Sequence, residues 1–198
     1  MMINFNTVPE KSALLLVGPP LSAKDSVIYS VVSKALSRGD CVIYITTDHF
    51  PKDIESFLKK YKIDSSKYEK TGSLKFIDCY SAQAQENLSD TSTIKTVPGP
   101  LALNEISVAL SEFENVFYKK NRRQLVIFQS LSTLLIYSLP EAIQRFVQVI
   151  VARTKKANGS ILFTLEEGMH DSKVFVGFEH LMDGIITVSG KKSVLKTL

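Results

Sequence analysis

The sequence predicts an α/β protein, with a mostly parallel central sheet covered by helices on both faces. Three observations carry this. Short apolar, β-branched runs alternate along the chain with segments of helical periodicity, the order produced by strands joined through crossover helices. The runs are apolar almost throughout rather than at every second residue, as strands buried on both faces require. The length of 198 residues, with 44% hydrophobic and 22% charged residues, is close to one domain-length unit of ordinary globular composition and sufficient for a core without disulfides. Residues 1–198 are therefore read as a single domain.

Six runs read as strands: Ala13 to Gly18, Cys41 to Thr47, Leu74 to Tyr80, Gln124 to Ser130, Ser160 to Leu165 and Gly184 to Ser189. Between the first two, Val27, Ile28, Val31, Val32, Ala35 and Leu36 form one helical face, ended by Gly39 just after Arg38. A second helix starts near Pro51 and turns Ile54, Phe57, Leu58 and Tyr61 inward. A third follows the turn-forming Pro98, Gly99 and Pro100 and carries Leu103, Ile106, Leu110, Phe113 and Phe117 at helical spacing. Pro140 suits a first helical position, and the helix it opens buries Ile143, Phe146, Val147, Ile150 and Val151. Ser81 to Pro100 is polar and aperiodic and reads as a loop or surface excursion beside a binding face. The lysines of Lys191 to Leu198 suit a last edge strand.

Charge and composition bound the function without naming it. Twenty-four basic against twenty acidic residues give a net charge of +4, an excess that permits nucleic-acid contact without demanding it. No apolar run reaches the about 20 residues that span a bilayer, and Met1 to Glu10 lacks the order of a signal peptide. A cytoplasmic protein with no membrane partner is expected. The two cysteines, Cys41 and Cys79, lie inside predicted strands and read as buried thiols rather than a disulfide or zinc framework.

The most informative segment is LLLVGPPLSAKDS, Leu14 to Ser26, where a buried strand runs into a tight turn and then a helix. A phosphate-binding loop needs two glycines separated by four residues, then lysine and a hydroxyl residue. Its backbone amides wrap the phosphates and its hydroxyl holds Mg²⁺. Gly18 and Lys24 are in register for that pattern, but Ala23 stands at the second glycine and Asp25 at the hydroxyl position, one residue before Ser26. Ala23 restricts a backbone that glycine leaves free. Asp25 sets a carboxylate beside the phosphates, and two unit charges about 4 Å apart repel by roughly 4 kcal/mol at a surface-like effective dielectric. Ligation of Mg²⁺ is the one constructive use of a carboxylate there. A strand, a turn and a helix meeting at Gly18, with Lys24 a surface lysine, would give the same partial match, so further segments decide its weight.

Several segments, taken in order, resemble the RecA superfamily, and most closely its KaiC and archaeal RadA-paralogue branch. IYITTDHFPKDI (Ile43 to Ile54) is similar to the family's second strand with the acidic pair and helix that follow it. LKFIDCYS (Leu74 to Ser81) resembles the third-strand segment with its aspartate, LVIFQSLSTLL (Leu125 to Leu135) the Walker B strand and its continuation, and LMDGIITV (Leu181 to Val188) the late Asp-Gly strand. The resemblance spans nearly the whole chain and implies a RecA-like P-loop fold. It also locates departures. Gln129 stands where the Walker B aspartate would orient Mg²⁺-bound water, and Asp48 and His49 stand where the family places its catalytic glutamates. Hydrolysis needs these groups jointly with the loop, so the resemblance implies a degenerate nucleotide site of Gly18, Ala23, Lys24, Asp25 and Ser26 in a pseudo-ATPase. Asp48, His49 and Gln129 remain as weak catalytic candidates.

The expected role is that of a non-hydrolysing accessory or regulatory protein that contacts a RecA/KaiC-type ATPase or a second copy of itself, with no cofactor or metal assigned and ATP with Mg²⁺ at most weakly bound. Two alternatives stay open. One is a slow ATPase with Asp48 or His49 as base, since a histidine can act near neutral pH, and Asp25 on the metal. The other is a recombination-related binder of single-stranded nucleic acid through the basic run Lys119, Lys120, Arg122 and Arg123. That run lies at the N-terminal edge of its strand, opposite the loop, where cations also simply suit a helix C-terminus, and no aromatic ladder accompanies it. Glu166, Glu167, His170 and Asp171 follow a predicted strand, where ligand-binding loops lie, but read more simply as a solvated acidic loop. Likewise His180 reads as structural, and Tyr44, Tyr80 and Tyr137 as packing near strand ends.

Overall fold

The computed structural model describes residues 8–84, 89–190 and 192–197. Eight strands among them form one sheet in the order β4-β3-β2-β5-β6-β1-β7-β8. They are β1 (Ala13–Gly18), β2 (Cys41–Thr46), β3 (Leu74–Asp78), β4 (Ile94–Thr96), β5 (Gln124–Gln129), β6 (Gly159–Glu166), β7 (Gly184–Ser189) and β8 (Lys192–Thr197). All neighbours run parallel except β7 and β8. Seven α-helices join them: α1 (Lys24–Ser37), α2 (Pro51–Lys60), α3 (Ser65–Lys70), α4 (Leu103–Lys119), α5 (Leu131–Tyr137), α6 (Pro140–Lys156) and α7 (Ser172–Glu179). This is an α/β fold with a mostly parallel sheet, consistent with a RecA-like architecture.

The unbroken apolar runs serve two cores. Along β1, Ala13, Leu15 and Val17 join α4 to α7 on one face, while Leu14 and Leu16 join α1 to α3 on the other. Successive side chains of a strand point to opposite faces, so a strand inserted between two helix layers must be apolar at every position. The helices begin and end where local chemistry says they should. Gly39 takes φ +87°, the left-handed conformation that closes α1, and Pro51 and Pro140 occupy the first turns of α2 and α6.

Three features differ from the sequence reading. The strands expected to run to Thr47, Tyr80 and Ser130 stop at Thr46, Asp78 and Gln129. At β3 the cause is visible: Asp78 Oδ1 accepts the N–H groups of Tyr80 and Ser81, drawing the chain out of the ladder. Ser81 to Pro100 is not wholly irregular, for it holds a 3-10 turn at Ser81–Ala84 and the strand β4, paired with β3. Three paired residues are too few to show a period. The helices α3, α5 and α7, of six to eight residues, are too short for the same reason. The expected edge strand is present as β8, with Lys191 and Leu198 outside the described residues.

Register sets the stage for function. Gly18 pairs with Glu166, Thr46 with both Gln129 and Asp78, and Asp78 with Thr96. The carboxyl ends of six strands thus bring polar residues to one edge, the edge at which open parallel sheets hold ligands.

Candidate functional site

At the end of β1 the chain has no room for a side chain. A Cβ on Gly18 would lie 2.9 Å from the Val188 carbonyl oxygen of β7 and 2.9 Å from Ser22 Oγ. Two prolines follow, Pro19 and Pro20, and proline has no backbone N–H. Neither position therefore offers an N–H at the turn. Ser22 N–H donates to Pro19 O at 3.2 Å, closing the turn on itself. At its tip Leu21 is fully exposed with φ +59°.

Lys24 fills the inside of this turn. Its ammonium donates to Gly18 O (2.9 Å), Pro19 O (2.7 Å) and Ser22 Oγ (3.2 Å) and pairs with Glu166 Oε2 at 2.8 Å, with 8% of its side chain exposed. Three oxygens of the loop and a carboxylate from β6 thus surround a cation whose donors are all engaged. Glu166 is held in turn: its N–H donates to Ser132 Oγ at 2.9 Å, and His170 Nε2 lies 3.0 Å from the same oxygen. Burial lowers the His170 pKa, favouring the neutral ring.

Across the edge, Asp48 and His49 pair through Oδ1 and Nδ1 at 2.8 Å. Thr46 Oγ1 fixes the turn by donating to the His49 carbonyl (2.7 Å) while accepting the His49 N–H (3.2 Å). The bond from Asp48 is the main cause that raises the His49 pKa, against the opposing effect of partial burial, with Asp48, Asp25 and Asp53 adding attraction. Asp25, exposed as a residue, has a carboxyl group crowded enough for desolvation to raise its pKa. Asp48 and Glu166 raise it further, and His49 and Lys24 oppose.

Gln129 is 7% exposed, and its Oε1 accepts from the Tyr44 hydroxyl in a short hydrogen bond. Tyr44 is fully buried, its phenol is hydrogen-bonded to Tyr29, and desolvation pushes both phenols well above their ordinary range. Gln129 is thus engaged within the protein, in an uncharged chain with Tyr44 and Tyr29.

A family model matches residues 12–188, from the residue before β1 almost to the end of β7. The chain belongs to DUF7504, a family of unknown function. Among curated proteins it is similar to archaeal UPF0273 proteins. That of Pyrobaculum aerophilum is 24% identical over 187 residues, 93% of this chain and 63% of the relative. That of Aeropyrum pernix is 22% identical over 186 residues, covering 93% and 72%. The chain thus spans less than two thirds of the Pyrobaculum protein's length. Among solved structures, the uncharacterized protein PH0321 from Pyrococcus horikoshii, crystallised in complex with an unknown peptide, matches with a TM-score of 0.75 at 16% identity. The match covers 96% of this chain and 85% of that one.

In this DUF7504 chain the residues singled out by sequence divide into two places. Gly18, Ala23, Lys24, Asp25, Ser26, Asp48, His49 and Gln129 all meet at the carboxyl edge, joined by Glu166 and His170. The basic run lies at the opposite edge. There Arg122 donates to Gly39 O and Ser73 Oγ, and Arg123 donates to Glu10 Oε1 (3.0 Å) and Val8 O (2.7 Å). Both guanidinium groups bind loops of the protein itself. Asp171 caps α7 through the Lys173 N–H, and no cluster of three metal-ligating side chains exists among the described residues. Both cysteines are buried and free. Sequence reasoning passed over Pro19 and Pro20, though a missing N–H is legible in the residue type. The Lys24–Glu166 pair joins residues 142 positions apart and has no local signal.

Proposed function

We propose that this DUF7504 chain is a RecA/KaiC-like P-loop domain whose nucleotide site is degenerate, and that it works as a non-hydrolysing accessory or regulatory protein through protein contacts. The observation that carries this reading is the engagement of Lys24. The one residue able to draw a triphosphate into the loop is neutralised by Glu166 and saturated by three other oxygens. A phosphate entering there would displace the lysine from its partners and meet the carboxylates of Asp25 and Glu166. Gln129, bonded to Tyr44, carries no charge with which to hold Mg²⁺.

A contact role is supported by the loop's apolar tip. Leu21 is fully exposed at the tip of the Lys24 turn, and apolar surface left in water gains free energy when a partner covers it. The unknown peptide held by PH0321 makes a polypeptide a reasonable class of partner for this fold. A catalytic relative of the same fold, or a second copy of the chain, is the partner we favour.

The test is nucleotide binding and turnover. A ligand at about a hundred times its Kd would raise the melting temperature of a protein this size by roughly 5–10 °C. ATP with Mg²⁺ is expected to produce no such shift, and phosphate release is expected to equal that of Lys24→Ala. A shift of that size, or turnover well above the Lys24→Ala level, rejects the reading.

A further inference from the structure

Strand β7 is dry on one face and open on the other. Ile186 and Val188 are buried in the α1 layer, whereas on the α7 side Ile185 is buried but Thr187 and Ser189 are exposed. Antiparallel pairing carries the open face onto β8. Ile185 lies opposite Lys196 and Thr187 opposite Val194, and both β8 residues are exposed. The eight residues of α7 make a helix only about 12 Å long, and this flank of the sheet stays uncovered beside it.

The flank is hollowed into a cavity of about 450 Å³ at the carboxyl ends of β6, β1 and β7. That volume is within the range of small-molecule sites, about 300–1,000 Å³. Val17, Leu165 and Ile185 of the strands and Phe175 of α7 give it an apolar floor. Ionisable groups stand around that floor. Glu166 is compensated by Lys24, and burial favours the neutral ring of His170. Glu167, Glu179 and Lys196 remain, and their side chains make no hydrogen bond or ion pair with a described residue. The cavity therefore presents two uncompensated carboxylates against one ammonium.

We propose that this cavity binds an organic amine, its hydrocarbon body lying on Val17, Leu165, Ile185 and Phe175 and its ammonium at the carboxylates of Glu167 and Glu179. The floor calls for a body, because apolar surface in water gains free energy when it is covered. The excess of carboxylates fixes the sign of the head, and attraction strengthens where hydrocarbon walls lower the local dielectric. A bare metal ion would leave the floor wet, and no cluster of three metal-ligating side chains exists among the described residues. An ammonium carries three donors on a compact head, enough to serve both carboxylates. Lys196 stands on the β8 side and favours one ammonium over several. The amine comes either from a free small molecule or from a lysine side chain of a polypeptide. The inference goes beyond the reading of the Lys24 turn. The cavity opens in the α7 layer, Lys24 belongs to α1 on the other, and Glu166 borders both.

Titration calorimetry on the full chain tests this with hexylammonium and with a capped tripeptide centred on lysine. Hexan-1-ol serves as the control without charge and ethylammonium as the control without a body. Hexylammonium is expected to bind, and each control at least about tenfold more weakly. Tighter binding of the tripeptide than of hexylammonium assigns the source as a polypeptide, and weaker binding assigns a free amine. Glu167→Gln combined with Glu179→Gln removes both charges from side chains that bond nothing, which spares the fold, and is expected to lower affinity at least about tenfold. Thr187→Phe puts a ring into the cavity from an exposed strand position and is expected to lower it as much. These variants leave Glu166 and Lys24 in place, so failure here does not touch the reading of that turn. No binding of hexylammonium at about ten millimolar, roughly the weak limit for a specific small-ligand site, overturns the proposal. So does equal binding of hexan-1-ol or ethylammonium, or hexylammonium affinity that survives either the double variant or Thr187→Phe.

Discussion

Lys24 and Asp78 are both buried charged residues at the carboxyl edge of the same sheet, and they are finished in opposite ways. Lys24 is enclosed by Glu166, Gly18 O, Pro19 O and Ser22 Oγ, all contributed by the protein. Asp78 uses one oxygen to hold its own turn and leaves the other unmatched. A charge compensated from within is part of the scaffold, because any ligand must first break what holds it. A buried oxygen left without a partner costs stability instead. Lys24 is thus satisfied within its turn, whereas Asp78 keeps one buried oxygen without a partner.

Substitutions break this comparison at graded cost. Asp78→Ala orphans the Tyr80 and Ser81 amides and is expected to lose about 2–3 kcal/mol in urea unfolding, while Asp78→Asn loses far less. Equal losses would mean that Oδ2, not Oδ1, is the structural atom. Glu166→Ala leaves the Lys24 ammonium buried with loop oxygens alone and is expected to cost about 1–2 kcal/mol. Unchanged stability would show that the pair is dispensable and the loop more open than its geometry implies.

A third expectation concerns pH. The folded His49 pKa lies above its ordinary 6.5 because of the bond from Asp48. The pairing therefore contributes fully below pH 6.5, and its contribution disappears as pH rises through the folded value. Melting curves of the protein and of Asp48→Asn should differ most on the acid side and converge in mild alkali. Divergence in alkali would reverse the assignment. The smallest effect is expected at the far edge, where Arg122→Ala removes partly exposed bonds to Gly39 O and Ser73 Oγ at about 1 kcal/mol or less. If it also left a salt-dependent affinity for single-stranded DNA unchanged, the basic run would have no part in such binding.

Much of the candidate site was legible because its residues follow strands. Gly18, Lys24, Asp25, Asp48, His49 and Gln129 each stand just beyond or at the end of an apolar run, and parallel strands place such ends together. Glu166 was legible as a loop carboxylate but not as the partner of Lys24, since β6 comes to lie beside β1 only through sheet order. Gln129 was visible as uncharged, whereas its bond to Tyr44 needed the pairing of β2 with β5. Asp78 was legible as a residue in a strand-end motif, but its unmatched oxygen was not. The strand β4, which brings Thr96 beside it, is too short to carry a period.

The sequence by itself determined the alternation of strands and helices, the two-sided burial of the sheet and the residue types, Ala23, Asp25 and Gln129, that depart from a phosphate-loop pattern. These depend on residue type and local spacing, through backbone conformation and the transfer of apolar surface from water. Which polar atoms found partners was decided only by the tertiary structure. Hydrogen bonding and charge compensation act over a few ångströms, and the distances between Lys24 and Glu166, or around Asp78, are set by strand order and register rather than by neighbours along the chain.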